Sequence, residues 1–226
     1  MIRFALLLVV FLPGLAAAED QIRQIVVTGV GSVSAVPDMA TVTLGITHEA
    51  PTAKEAMAEL SKTTTAVLGR IADFEIAESD VQTSSLNLNP VWDQGNTRPP
   101  RIRGYMASGM LSVRVRELDT LGGVLDGVTE EGANRLNSLV FGISDTDTLE
   151  VQARRSAVAS ALAKAETLAS AAGVGLGPIQ LIEENTGGGL PAPTARGAFM
   201  ESASVTIASG ELELQIRVTI TFAIAE

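Results

Sequence analysis

Glu211 to Ala225 reads ELELQIRVTITFAIA, and its alternation is unbroken: Leu212, Leu214, Ile216, Val218, Ile220, Phe222 and Ile224 take one parity, Glu213, Gln215, Arg217, Thr219 and Thr221 the other. A period of two marks a strand with one buried and one wetter face. At roughly 3.3 Å per residue it reaches on the order of 45 Å, over twice a typical strand, so it must bend or project. Ile102 to Arg116 has similar length, with Tyr105, Ala107, Gly109, Leu111, Val113 and Val115 on one face and Met106, Ser108, Met110, Ser112 and Arg114 on the other. Two such ribbons outrun the core of a small domain, and left bare they would be aggregation-prone. The expectation is that another copy covers part of them, through Leu111, Val113, Val115, Leu214, Ile216, Val218 and Ile220.

The rest of the chain supplies partners for these strands. Ile25 to Val33 and Met39 to His48 read as strands joined at the turn pair Pro37-Asp38. Thr52 and Glu55 form a capping-box pattern, after which Ala56, Met57, Leu60, Thr64, Val67, Leu68 and Ile71 recur at helical spacing. Val81 to Trp92 is a third strand, joined to Ile102 to Arg116 through a Gly, Asn and Pro-rich tip, Asp93 to Arg101. A short helix from about Asp119 to Glu130 ends near Gly132, and Arg135 to Ile143 is a further strand. Asp145 or Asp147 caps the longest helix, which stops at Gly173 and carries Ala153, Ala157, Ala161, Ala165 and Ala169 every fourth residue. That stripe lets a backbone approach closely. Ile179 to Glu183 is a strand, and Gly187-Gly188-Gly189 with Pro191 and Pro193 marks a flexible loop over about residues 185–203. The fold class expected is α+β: a two-layer arrangement of long, mostly antiparallel strands, roughly eight, with about three helices packed on the sheet.

The N-terminus reads as an address. Arg3, the apolar run Phe4 to Leu12, Pro13-Gly14 and Ala16-Ala17-Ala18 follow the pattern of a cleaved secretory signal over residues 1–18, giving one domain over 19–226 and a periplasmic location. The run of about 9 residues falls short of the roughly 20 that span a bilayer, so stable membrane insertion is not expected. There is no cysteine, so disulfides and thiolate zinc are excluded. The net charge is −10, and −11 without Arg3, which repels phosphate backbones; no nucleic-acid partner is expected.

Several short motifs in order complete the reading: Gly29-Val30-Gly31-Ser32, Pro37-Asp38, Asp80-Val81-Gln82-Thr83, Asn89-Pro90, Gly104-Tyr105 with Ala107-Ser108, Gly132-Ala133-Asn134, the block Ala153-Arg154 to Gly173-Val174, and Gly210-Glu211-Leu212. Together they resemble the SIMPL domain family, also called DUF541, across nearly all of the mature chain. Val30 departs from the acidic residue many members carry, and Phe74-Glu75 stands where a glycine usually ends the first helix. The resemblance implies an exported oligomer, with a link to oxidative-stress tolerance and no established catalytic group.

Candidate chemistry is sparse. His48, the one histidine, continues the inward parity of Ala40 to Ile46 and has no cysteine or second histidine to share a metal or triad. Gly29-Val30-Gly31 lacks the third glycine and following helix of a dinucleotide site. The acid pairs Glu130-Glu131, Glu183-Glu184 and Asp145 with Asp147 are the remaining candidates for acid–base or calcium chemistry. No catalytic residue, cofactor or metal ligand is assigned. The expected function is a non-catalytic homo-oligomeric assembly or binding module whose partners are itself and, as a second candidate, another envelope protein. A holdase-like stress protein and a carboxylate-dependent hydrolase are the alternatives.

Overall fold

The structure is a computed structural model that describes residues 23–93, 100–185, 192–194, 199–201 and 206–225. The expected signal segment, the expected start at Glu19, Arg98-Pro99 of the expected tip, and Gly187 to Pro191 lie outside the described residues.

The chain is α+β, but its long strands divide between two sheets rather than sharing one. Gln24–Ala35 (β1) and Met39–Ala50 (β2) run consecutively in sequence yet enter different sheets. Helix α1 is Ala53–Asp73, followed by β3 (Val81–Asp93), β4 (Arg101–Val115), α2 (Leu121–Glu130) and β5 (Arg135–Gly142). Helix α3 is Asp147–Ala172, and β6 (Gly175–Asn185), β7 (Ala192–Thr194), β8 (Phe199–Glu201), β9 (Thr206–Ala208) and β10 (Glu211–Ala225) complete the chain. One sheet has the order β1-β10-β6 with β7 also on β10; the other has β3-β4-β2-β5, and all pairings are antiparallel.

Each sheet has its own core. Ala40, Val42, Leu44 and Ile46 of β2 and Ala107, Leu111, Val113 and Val115 of β4 bury against Ala56, Leu60, Val67 and Ile71 of α1 and Val124 and Val128 of α2. Val27, Val218, Ile220 and Phe222 bury against Ala157, Ala161 and Ala165 of α3. Burial of this kind contributes about 25 cal/mol per Å² of apolar surface and holds each helix on its sheet.

This corrects the expected interface. Leu111, Val113, Val115, Leu214, Val218 and Ile220 are buried within the single chain, and Ile216 packs against the α3 cluster. Leu111, Val113, Val115, Val218 and Ile220 pack with the chain's own helices as core, Leu214 is buried as well, and Ile216 is half-buried beside them. The length of β10 is consumed by successive partners: β6 takes Arg217 to Ala225 and β7 takes Glu211 to Glu213. That arrangement also orders Ala192–Thr194, inside the segment expected to be flexible, and Phe199–Glu201 pairs with β9. In β4 only Arg101 to Gly104 outruns β2, whose pairing ends at Ala50 opposite Tyr105.

Local chemistry sets the helix ends. Thr52 accepts from the Glu55 amide at 3.2 Å while Glu55 accepts from the Thr52 amide at 3.2 Å, the reciprocal cap that starts α1. At the start of α3 the carboxylate of Asp145 accepts from the Asp147 amide at 3.0 Å. Gly173 ends that helix at φ 70°, where the Val174 amide turns back to the Ala169 carbonyl at 3.0 Å.

Candidate functional site

Two glycines decide how α3 sits. Cβ atoms added at Gly29 and Gly31 would lie 2.0 Å from the carbonyl oxygens of Ala157 and Ala153 respectively. Bare strand positions meet a stripe of alanines, and the helix descends onto β1 and β10. The Gly29-Val30-Gly31 motif thus has a packing role.

Among the described residues, a helix held over β1 and β10 leaves much of β6 uncovered. Ile182 faces the buried Ile220 and Ile179 faces Phe222, so both point to the helix side of the sheet, yet they are 54% and 45% exposed. The other sheet repeats the pattern. Leu86 pairs with Gly109 and Leu88 with the buried Ala107, on the side covered by α1, but they are 59% and 42% exposed because α1 lies over β2 and β4. Among the described residues, β3 and β6 run past the helix layer of their sheets over much of their length. Trp92 and Ile102, paired at the far end of β3 and β4, continue the second strip. These bare margins are the candidate functional site, since apolar side chains gathered on one margin mark an interaction surface.

Several carboxylates are engaged in bracing the fold. Asp80, nearly buried, accepts from Arg116 Nε at 2.7 Å and Nη2 at 2.8 Å and from Arg114 Nη1 at 3.4 Å. The Arg116 hydrogen bonds, and then the two guanidinium charges, hold its carboxyl below the usual aspartate range despite burial pushing the other way. This pins the turn before β3 to the end of β4. Glu184 accepts from Arg154 Nε at 2.6 Å and Nη2 at 2.9 Å, tying β6 to α3, and the same hydrogen bonds lower its carboxyl. Glu184 is therefore taken, which breaks the Glu183-Glu184 pair as an acid–base candidate. Glu130 lies 3.9 Å from Arg70, while Asp145 and Asp147 serve the start of α3.

His48 Nε2 is 2.8 Å from Thr63 Oγ1 on α1, so the histidine ties a strand end to the helix above it. Asp38 holds the amide of Ser144 at 2.7 Å and the Ser144 hydroxyl, clamping the chain where it leaves β5 for α3. Asn134 completes a ladder with its side chain: Oδ1 accepts from the Thr47 amide at 3.1 Å and Nδ2 donates to the Thr47 carbonyl at 2.9 Å. Among the described residues no group of three or more His, Cys, Asp or Glu assembles to hold a metal ion. No described helix is long and apolar enough to cross a membrane.

Sequence reasoning missed the margins. The alternation of Leu86 and Leu88 is legible, but edge position and helix overhang are properties of strand order. A signal existed in β6, where Ile179, Leu181 and Ile182 put apolar side chains on both faces, a pattern out of place on an edge strand.

Comparison with known proteins completes the picture. The profile of the SIMPL family, described as a protein of unknown function (DUF541), matches residues 25–222. The 26 kDa periplasmic immunogenic protein of Brucella melitensis is 39% identical over 226 residues, covering 94% of this chain and 90% of that protein. The YggE proteins, which carry the word uncharacterized in their names, are 29% identical in Edwardsiella ictaluri (88% of this chain, 84% of the relative) and 28% identical in Escherichia coli K12 (85% and 79%).

Proposed function

The chain belongs to the SIMPL (DUF541) family, and from that premise we propose that it works in the periplasm as an exported, non-catalytic module that associates with copies of itself through the bare margins of β3 and β6. One observation carries the reading: among the described residues, Leu86 and Leu88 on β3 and Ile179 and Ile182 on β6 stand exposed on faces that elsewhere form core. A second chain is the simplest cover for such strips. The location is supported by the periplasmic name of the Brucella relative and by the signal pattern at the N-terminus. The absence of a catalytic role is supported by the structural engagement of Asp80, Glu184, Asp145 and His48. Another envelope protein is the second candidate partner, and the link to oxidative-stress tolerance belongs to the same proposal.

The test is light scattering of the mature protein at micromolar concentration. Wild type is expected to form a discrete oligomer. Replacing Leu86 and Leu88, or Ile179 and Ile182, by Ser shifts it to smaller species with the melting temperature of the protomer retained, because these side chains contribute little to the single-chain cores. A wild-type protein that is strictly monomeric rejects the reading.

A holdase-like role is the second reading, favoured by Trp92 and Ile102 standing exposed together where β3 and β4 outrun the rest of their sheet. It requires that the protein slow aggregation of an oxidised client at equimolar ratio, and that Trp92→Ser weaken this effect.

A further inference from the structure

The two large sheets have four open edges among the described residues, and three are spoiled for pairing. Strand β3 has register shifts at Ser84 and after Val91 and carries Pro90; β5 has a shift opposite Thr43 and Leu44; β6 has two shifts, with Pro178 and two glutamates. Bulges, prolines and charges are the usual protections of an edge. Strand β1 has none of them. All 12 of its residues, QIVVTGVGSVSA, pair with β10 in unbroken register, without a charge or a proline.

Which backbone groups β1 turns outward follows from two contacts. The Ile224 amide donates to the Arg23 carbonyl at 3.2 Å, so odd-numbered positions exchange hydrogen bonds with β10. Even-numbered positions therefore direct their N–H and C=O away from the sheet, and Lys164 Nζ donates to the Thr28 carbonyl at 2.8 Å on that side. The edge opens onto a groove whose far wall is the flank of α3, formed by Ser160, Ala163, Thr167 and the half-exposed Leu168. Among the described residues Lys164 is the one charged side chain lining it.

We propose that the open edge of β1 is a strand-accepting site for an extended segment of a partner polypeptide, bearing a carboxylate that takes over the Lys164 ammonium. In the vacant edge Lys164 satisfies Thr28. On binding, the ammonium moves to the incoming carboxylate, and the Thr28 carbonyl accepts an amide of the added strand instead. Main-chain bonds supply affinity in such augmentation, and the apolar flank of α3 receives alternate side chains. The same edge of a second copy does not fit. Paired strands lie about 4.8 Å apart, whereas packed helices need about 8–10 Å, and α3 rides directly on β1. A strand without a helix on that face meets no such collision. The lone cation, on a chain of net charge −10, selects an acidic occupant over a basic one. This site is separate from the margins of β3 and β6 and stands without them.

The experiment uses mature full-length protein and a fluorescent nine-residue peptide alternating Val and Thr with a central Glu, N-methylated along one edge so that peptides cannot pair with one another. Anisotropy reads binding, and amide exchange by NMR locates it. The expected result is saturable binding below about 1 mM, at least about tenfold tighter for the Glu peptide than for its Lys counterpart. Exchange at the Val26, Thr28 and Val30 amides slows by about tenfold or more on binding. Lys164→Met retains binding and loses the Glu over Lys preference. Val30→Pro, which removes an outward amide and leaves the β10 ladder, abolishes binding with the circular dichroism spectrum unchanged. A Leu86→Ser, Ile182→Ser double variant binds as wild type does, so the outcome is independent of self-association. No binding at about 1 mM, equal affinity for the Glu and Lys peptides, or protection on β3, β5 or β6 overturns the proposal.

Discussion

Adding one methyl group at Gly31 tests how α3 is held. The new Cβ would stand 2.0 Å from the Ala153 carbonyl oxygen and 2.4 Å from the Ala157 nitrogen, both backbone atoms that no rotamer can move. Ordinary contact needs about 3.4 Å, so α3 must rise by about 1.4 Å or tilt by as much at that end. A gap of that size admits no water and forfeits about half or more of the dispersion well across the seam. Ala153, Ala157, Ala161, Ala165 and Ala169 are buried there, each methyl contributing about 0.8 kcal/mol, and Val27, Val218, Ile220 and Phe222 lose part of their cover as well. Gly31→Ala is thus expected to cost about 3 kcal/mol, at the upper end of overpacking effects. For a protein of this size that lowers the melting temperature by about 6–12 °C, measured by circular dichroism on the mature protein. Gly29→Ala meets the same helix, with the Ala157 oxygen at 2.0 Å and the Ala161 nitrogen at 2.6 Å. Once α3 has lifted, the second methyl costs little, so the double variant falls well short of the sum. A shift under about 2 °C for Gly31→Ala, or two shifts that add in full, would refute close packing as the role of this motif.

Glu75 sits at φ 58° just past α1, a left-handed conformation that costs a non-glycine residue about 1–2 kcal/mol. Glu75→Gly relieves this and loses part of the gain to unfolded-state entropy, so the urea midpoint should rise by the equivalent of about 0.5–1 kcal/mol; a lower midpoint counts against the strain. Asp80 and Glu184 have folded carboxyls held below their ordinary values by arginine hydrogen bonds. Their contribution is complete above the unfolded carboxylate range near about pH 4 and is lost as pH falls through the lower folded values, so urea midpoints should drop across that acid window. Asp80→Asn should reduce the drop, and an unchanged acid profile would remove Asp80 from the account. Asn134→Ala deletes both bonds to Thr47 and should cost about 1 kcal/mol by urea unfolding, with faster exchange at the Thr47 amide; unchanged exchange there would deny the side chain its ladder role.

Much of the fold was legible because strand and helix faces are written locally. The parity of Leu212 to Ile224 and of Tyr105 to Val115 names the buried faces correctly, as the burial of Leu111, Val113, Val218 and Ile220 attests. The Thr52-Glu55 cap and the stop at Gly173 are contacts between residues a turn apart, so spacing alone reveals them. The family motifs were visible as strings, but their purposes were not. Asp80 needs Arg116, Asn134 needs Thr47, and Gly31 needs Ala153, partners separated by long stretches of chain. The expected interface failed for the same reason: a buried face does not say what buries it.

The amino-acid order by itself determined the α+β class, the inward parity of each long strand and the places where helices begin and end, because these depend on side chains within a few residues of one another. Only the tertiary structure decided that the strands part into two sheets, that α1 and α3 cover their inner faces, and that β3 and β6 are left bare at the margins. Those outcomes turn on which distant segments meet and how far a helix reaches across a sheet, and on β1 two glycines set that reach by letting a backbone approach where a side chain would have held it away.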